Sequence, residues 1–238
     1  MTFSPEGPYG TIVTGPPVEQ ANAAIILLHG RGQRAQAMLE LARQLDLPSV
    51  AWLALQAPAG AWYSPKYDGF DPDGDRSVAD ACTALAEISS RLEAAWVALD
   101  RQGIVGFSQG ACLASHFMWC GAAKMGFLGS LTGSLPGFEL PTAPVEPRFT
   151  GLKAIFTGGL NDDWVKAEHV RETAERFRLS GADVGEYIQP IKDHGIGADE
   201  IALLRDTLIA RFELNPPVPT RGPRHQPLVP QSTPSLTD

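Results

Sequence analysis

Gly106-Phe107-Ser108-Gln109-Gly110 sets a serine between two glycines in the pattern G-x-S-x-G. Gly103-Ile104-Val105 before it reads as a strand, and Ala111 to Cys120 after it reads as a helix. A nucleophile elbow needs this strand–turn–helix setting, which pushes the hydroxyl above a sheet. The glycines leave room where a Cβ would meet neighbouring backbone. The helix N-terminus behind the serine favours developing negative charge. Read without its surroundings, the same motif also fits an ordinary βα turn with Ser108 capping the helix.

A serine hydroxyl is a poor nucleophile until a base takes its proton. Five histidines compete for that role. His225 lies near the C-terminus, His116 on the helix leaving the elbow, and His169 inside a later helix. His29 ends the first buried strand and reads as a structural residue that bonds loop backbone. His194, in Lys192-Asp193-His194-Gly195, follows the last strand and precedes the last helix. It alone combines a rim loop with the chain order Ser, Asp, His used by α/β-hydrolases. The orienting acid is expected between Ser108 and His194. Asn161-Asp162-Asp163-Trp164 supplies two candidates, of which Asp162 is preferred and Asp163 is the runner-up, with helix capping as its other use.

Acyl transfer also needs two backbone N–H groups for the oxyanion. Gln109, directly after the nucleophile, is expected to give one. The loop His29-Gly30-Arg31-Gly32-Gln33 after the first buried strand is expected to give the other, from Arg31. Trp62 and Tyr63 fall in a further rim loop. With Leu135, Phe138 and Trp164 they are candidates to line an apolar acyl pocket.

The elements that must position these groups alternate along the chain. Ala23 to Leu28 is a continuous apolar run, as in a strand buried on both faces. A helix follows over about Ala35 to Leu45, then a strand over Val50 to Leu55. Val78, Cys82, Leu85, Ile88, Leu92, Trp96 and Leu99 recur at helical spacing. Further strands are expected at Gly103 to Phe107, Phe127 to Thr132, Leu152 to Thr157 and Asp183 to Gln189. Helices are expected at Val165 to Leu179 and Ala198 to Phe212. This alternation implies an α/β fold, a mostly parallel central sheet with helices on both faces. Ligands in such sheets sit at the carboxyl ends of the strands, where the loops after Leu28, Leu55, Phe107, Thr157 and Gln189 fall.

Residues 1–20 form an N-terminal extension with an expected edge strand near Tyr9 to Thr14, and residues 21–214 form the domain. Residues 215–238 carry scattered prolines among polar residues and are expected to form a disordered tail. The net charge of −8 argues against nucleic acid as a partner, because phosphate binding needs a basic stripe. Cys82, Cys112 and Cys120 make an odd count without metal-ligand spacing, so neither a disulfide framework nor a metal is expected. No apolar stretch is long enough to span a bilayer, and the N-terminus lacks a secretory pattern, so a cytoplasmic protein is expected. A homodimer is left open.

The chain resembles the phospholipase/carboxylesterase family of α/β-hydrolases, which includes acyl-protein thioesterases, and above all its bacterial carboxylesterase branch. The resemblance rests on Leu27-Leu28-His29-Gly30-Arg31-Gly32, on Ala57-Pro58 with Trp62-Tyr63-Ser64-Pro65, and on Gly106 to Ala114. Asp162 with Val165, and His194 before the last helix, complete it. It implies Ser108, Asp162 and His194 as a triad, and Arg31 and Gln109 as oxyanion donors. It departs before the base, where Ile191-Lys192-Asp193-His194 replaces the usual Gly-x-Gly-His. The expected reaction is hydrolysis of short- to medium-chain carboxylic esters through an acyl-enzyme, with no cofactor. The alternatives are a lysophospholipase or acyl-protein thioesterase acting on long acyl chains, and a non-catalytic binding protein on the same fold.

Overall fold

The computed structural model describes residues 3–64, 76–121, 124–135 and 147–214. Phe138 and the segment 215–238 lie outside the described residues. The seven strands are β1 (Thr11–Thr14), β2 (Ala23–Leu28), β3 (Val50–Leu55), β4 (Gln102–Phe107), β5 (Phe127–Leu131), β6 (Lys153–Gly159) and β7 (Asp183–Gln189). They form one sheet in the order β1-β3-β2-β4-β5-β6-β7. Among the described strands only β1 runs antiparallel, pairing Thr11 with Leu55 along β3.

Alternation along the inner strands splits the core in two. Ala24, Ile26 and Leu28 of β2 face one cluster, built with α2 (Arg76–Ala94), α3 (Gln109–Trp119) and α4 (Ala167–Leu179). Ala23, Ile25 and Leu27 face the other, built with α1 (Ala35–Leu45) and α5 (Ala198–Phe212). Successive side chains of a strand point to opposite faces, so a run that is apolar at every position needs a cover on both sides. This is the expected α/β-hydrolase architecture. No helix among the described residues is long and apolar enough to cross a membrane.

Two helix boundaries differ from expectation. The periodicity through Trp96 and Leu99 overruns α2, which stops at Ala94. There the Val97 N–H donates to Leu92 O at 3.0 Å and the Trp96 N–H to Glu93 O at 2.9 Å, with Trp96 left-handed at φ 67°. These two bonds satisfy the last carbonyls and close the helix. The helix expected from Val165 begins instead at Ala167, because the amides before it bond a carboxylate described below.

Candidate active site

Ser108 sits between β4 and α3 with φ 53° and ψ −120°, a backbone conformation that non-glycine residues rarely adopt. Its N–H donates to Leu131 O at 3.0 Å, and its carbonyl accepts from the N–H groups of Ala111 at 2.9 Å and Cys112 at 3.0 Å. The flanking glycines are required by close approach. A Cβ on Gly106 would lie 2.2 Å from Gly110 O, and one on Gly110 would lie 2.3 Å from Leu28 O. The Ser108 side chain makes no cap bond to the helix, so the reading as an N-cap does not apply.

The hydroxyl meets His194 instead. Ser108 Oγ lies 2.8 Å from His194 Nε2. On the other side of the ring, Nδ1 lies 2.8 Å from Asp162 Oδ2 and 3.1 Å from Oδ1. A carboxylate accepts only, so Nδ1 carries the proton and Nε2 is left to accept from the serine. The imidazole contacts the Phe107 ring, 5.3 Å away between centroids, and the Trp164 ring at 6.2 Å. The Asp162 side chain is fully buried, and its Oδ1 also accepts from the N–H groups of Trp164 and Val165. Asp163 is exposed and caps nothing, since Lys166 precedes α4 without a side-chain cap.

The Gly-rich loop after β2 folds as a tight turn, with Gln33 N–H donating to Gly30 O at 3.1 Å and Gly32 N–H to Gly60 O at 2.8 Å. The backbone N–H groups of Arg31 and Gln109 have no acceptor among the described residues. His29 is fully buried and structural. The Ala57 N–H donates to its Nε2 at 3.0 Å, so Nδ1 is the protonated nitrogen and donates to Gly30 O at 2.7 Å. Burial holds its pKa below the usual imidazole range, with the Gly30 bond acting in the opposite direction.

A family model described as Phospholipase/Carboxylesterase matches residues 10–143, more than half of the chain. The chain belongs to the phospholipase/carboxylesterase family. It is therefore a carboxylic ester hydrolase. A solved phospholipase/carboxylesterase from Dyadobacter fermentans is similar to this family member, at 28% identity and a TM-score of 0.77 over 87% of this chain and 100% of that one. Two further solved structures show likeness of fold. A carboxylesterase from Mesorhizobium loti has 21% identity and a TM-score of 0.67 over 84% of this chain and 94% of that one. A carboxylesterase from Bacillus cereus has 16% identity and a TM-score of 0.69 over 85% and 94%. Among curated proteins, none matches this chain significantly.

In this phospholipase/carboxylesterase family member the residues expected to line a pocket are placed unevenly. Trp62 is only 1% exposed and belongs to the core with Tyr63, so neither offers open pocket surface. The reason is polar as well as apolar: the Trp62 Nε1–H finds His29 O at 2.7 Å. Gln109 clamps the same segment, its Oε1 accepting from Trp62 N–H and its Nε2 donating to Tyr63 O, both at 3.0 Å. Leu135 is buried, with its N–H on Thr173 Oγ1 at 2.8 Å. Trp164 is 76% exposed beside His194. Phe107 and the Gln109 side chain escaped sequence reasoning. Both lie inside the G-x-S-x-G motif, which was the available signal. A cleft of about 730 Å³ lined by Met118, Lys124, Arg148 and Arg211 lies at the opposite end of the sheet, away from Ser108.

Proposed function

We propose that this family member is a serine carboxylesterase that hydrolyses short- to medium-chain esters through an acyl-enzyme on Ser108. The observation that carries the reading is the 2.8 Å contact of His194 Nε2 with Ser108 Oγ, backed by Asp162 on Nδ1. His194 takes the Ser108 proton as Oγ attacks the ester carbonyl carbon. The N–H groups of Arg31 and Gln109 stabilise the resulting oxyanion. The imidazolium, steadied by Asp162, then protonates the departing alcohol. Water, deprotonated by the same nitrogen, attacks the acyl carbon and frees Ser108.

Because the alcohol must leave toward Nε2, Trp164 beside the imidazole is assigned to the alcohol moiety. The burial of Trp62 and Tyr63 limits the apolar depth beside Ser108 and favours modest acyl chains. A reading with long acyl chains, as in a lysophospholipase or acyl-protein thioesterase, is favoured by one feature. Leu160, Trp164 and Ile191 are exposed on the loops that bear Asp162 and His194. We place the enzyme in the cytoplasm, where its cysteines stay as thiols. A series of p-nitrophenyl esters from acetyl to palmitoyl, with a palmitoyl thioester alongside, tests the assignment. The reading expects turnover to peak at or below octanoyl. A peak at palmitoyl, or a preference for the thioester, would favour the long-chain alternative.

A further inference from the structure

His194 follows the strand at one edge of the sheet. Among the described residues β7 is an edge strand that pairs only with β6, and its residues are exposed or half-buried. From Asp183 to Asp199 one residue alone is buried, and it is Lys192. Ile196 is the loop's partly buried apolar contact, whereas Ile191 is 88% exposed. The buried side chain of the loop that carries the base is thus an ammonium.

That ammonium reaches two places. Its Nζ donates to Glu200 Oε1 at 2.7 Å and to Thr132 Oγ1 at 2.8 Å. Glu200 is itself fully buried at the start of α5, and its Oε2 accepts from Gly197 N–H at 2.8 Å. Thr132 is a β-branched residue held left-handed at φ 55°, directly after Leu131, whose carbonyl receives the Ser108 N–H. Such an outlier persists only where its surroundings impose it. The Lys192 main chain packs on β6, since a Cβ on Gly159 would lie 2.4 Å from Lys192 O. Gly159 ends the strand that leads to Asp162.

We propose that Lys192 is a positioning residue, keying the His194 loop to the strand ends that set Ser108 and Asp162. The proposal rests on the esterase reading for its kinetic test. A buried ion pair is a poor source of net stability, since desolvation offsets its attraction, but it fixes one geometry. Small errors in placing a base are costly in rate, because the reacting atoms must be aligned before reaction.

Thr132→Val removes the hydroxyl acceptor while keeping shape and backbone strain. The pair Lys192→Met with Glu200→Gln removes both charges together, so no lone buried charge remains. The expected result is a kcat lower by about tenfold in Thr132→Val and about a hundredfold in the double variant, with KM within about twofold. Thermal midpoints are expected to stay near wild type for Thr132→Val. The downfield proton resonance of His194 Nδ1–H is expected to broaden in both. A merely structural role would lower the midpoint and leave kcat and the resonance alone, and that result overturns the proposal. If wild type lacks esterase turnover, the esterase reading fails by itself, and the His194 resonance still decides the role of Lys192.

Discussion

Asp162 presents one oxygen, Oδ1, to the Trp164 N–H at 2.8 Å and to His194 Nδ1 at 3.1 Å. With the Val165 N–H also on that oxygen at 2.9 Å, the carboxylate cannot rotate freely about its own bond. An Asp162→Asn amide can keep the two backbone bonds through its oxygen. It then turns an N–H toward the imidazole and forces the wrong tautomer. We expect kcat to fall by about 10⁴-fold in Asp162→Asn. Asp163→Asn, at an exposed position, is expected to stay within about twofold. Steady-state kinetics on both variants checks the assignment, and the reverse order would transfer the role to Asp163.

His29 makes stability depend on pH. Its pKa is lowered in the folded state by burial, so below about pH 6.5 the unfolded chain takes a proton that the folded chain refuses. The contribution is complete above the unfolded value and is lost as pH falls toward the folded one. His29→Gln should cost about 2 kcal/mol near pH 8, where the bonds to Gly30 and Ala57 are lost. The gap from wild type should narrow by about pH 5. Urea unfolding at both conditions measures it, and a constant gap would contradict the account.

Trp96 holds the left-handed position after α2 while being 92% exposed. An L side chain is strained there and glycine is not. Trp96→Gly is therefore expected to raise the unfolding free energy by about 1 kcal/mol. The urea midpoint reports it, and a destabilised variant would mean that the indole makes a contact worth more than the strain.

Much of this arrangement can be read from residue types. Ala23–Leu28 is apolar at every position, as a strand covered on both faces requires. The elbow at Gly106 to Gly110 and the rim position of His194 follow from motif and chain order. Helix ends do not. Periodicity continued to Trp96 and Leu99, yet local closure by Val97 and Trp96 amides stopped α2 earlier. The start of α4 moved because Trp164 and Val165 give their N–H groups to Asp162 rather than to a helix. Trp62 looked like pocket lining because nothing local shows that its indole N–H is taken by His29, thirty-three positions earlier. Lys192 was invisible for the same reason: a lysine in a polar loop reads as solvated until Glu200 and Thr132 are seen around it.

The central claim is that the Ser108 hydroxyl is a reactive nucleophile activated by His194. Peptide mass spectrometry after treatment with a fluorophosphonate probe tests it most directly. The account predicts one covalent adduct, on Ser108, with labelling abolished in Ser108→Ala and strongly slowed in His194→Gln, both still folded. An unlabelled wild-type protein, or an adduct on any other residue, would contradict it.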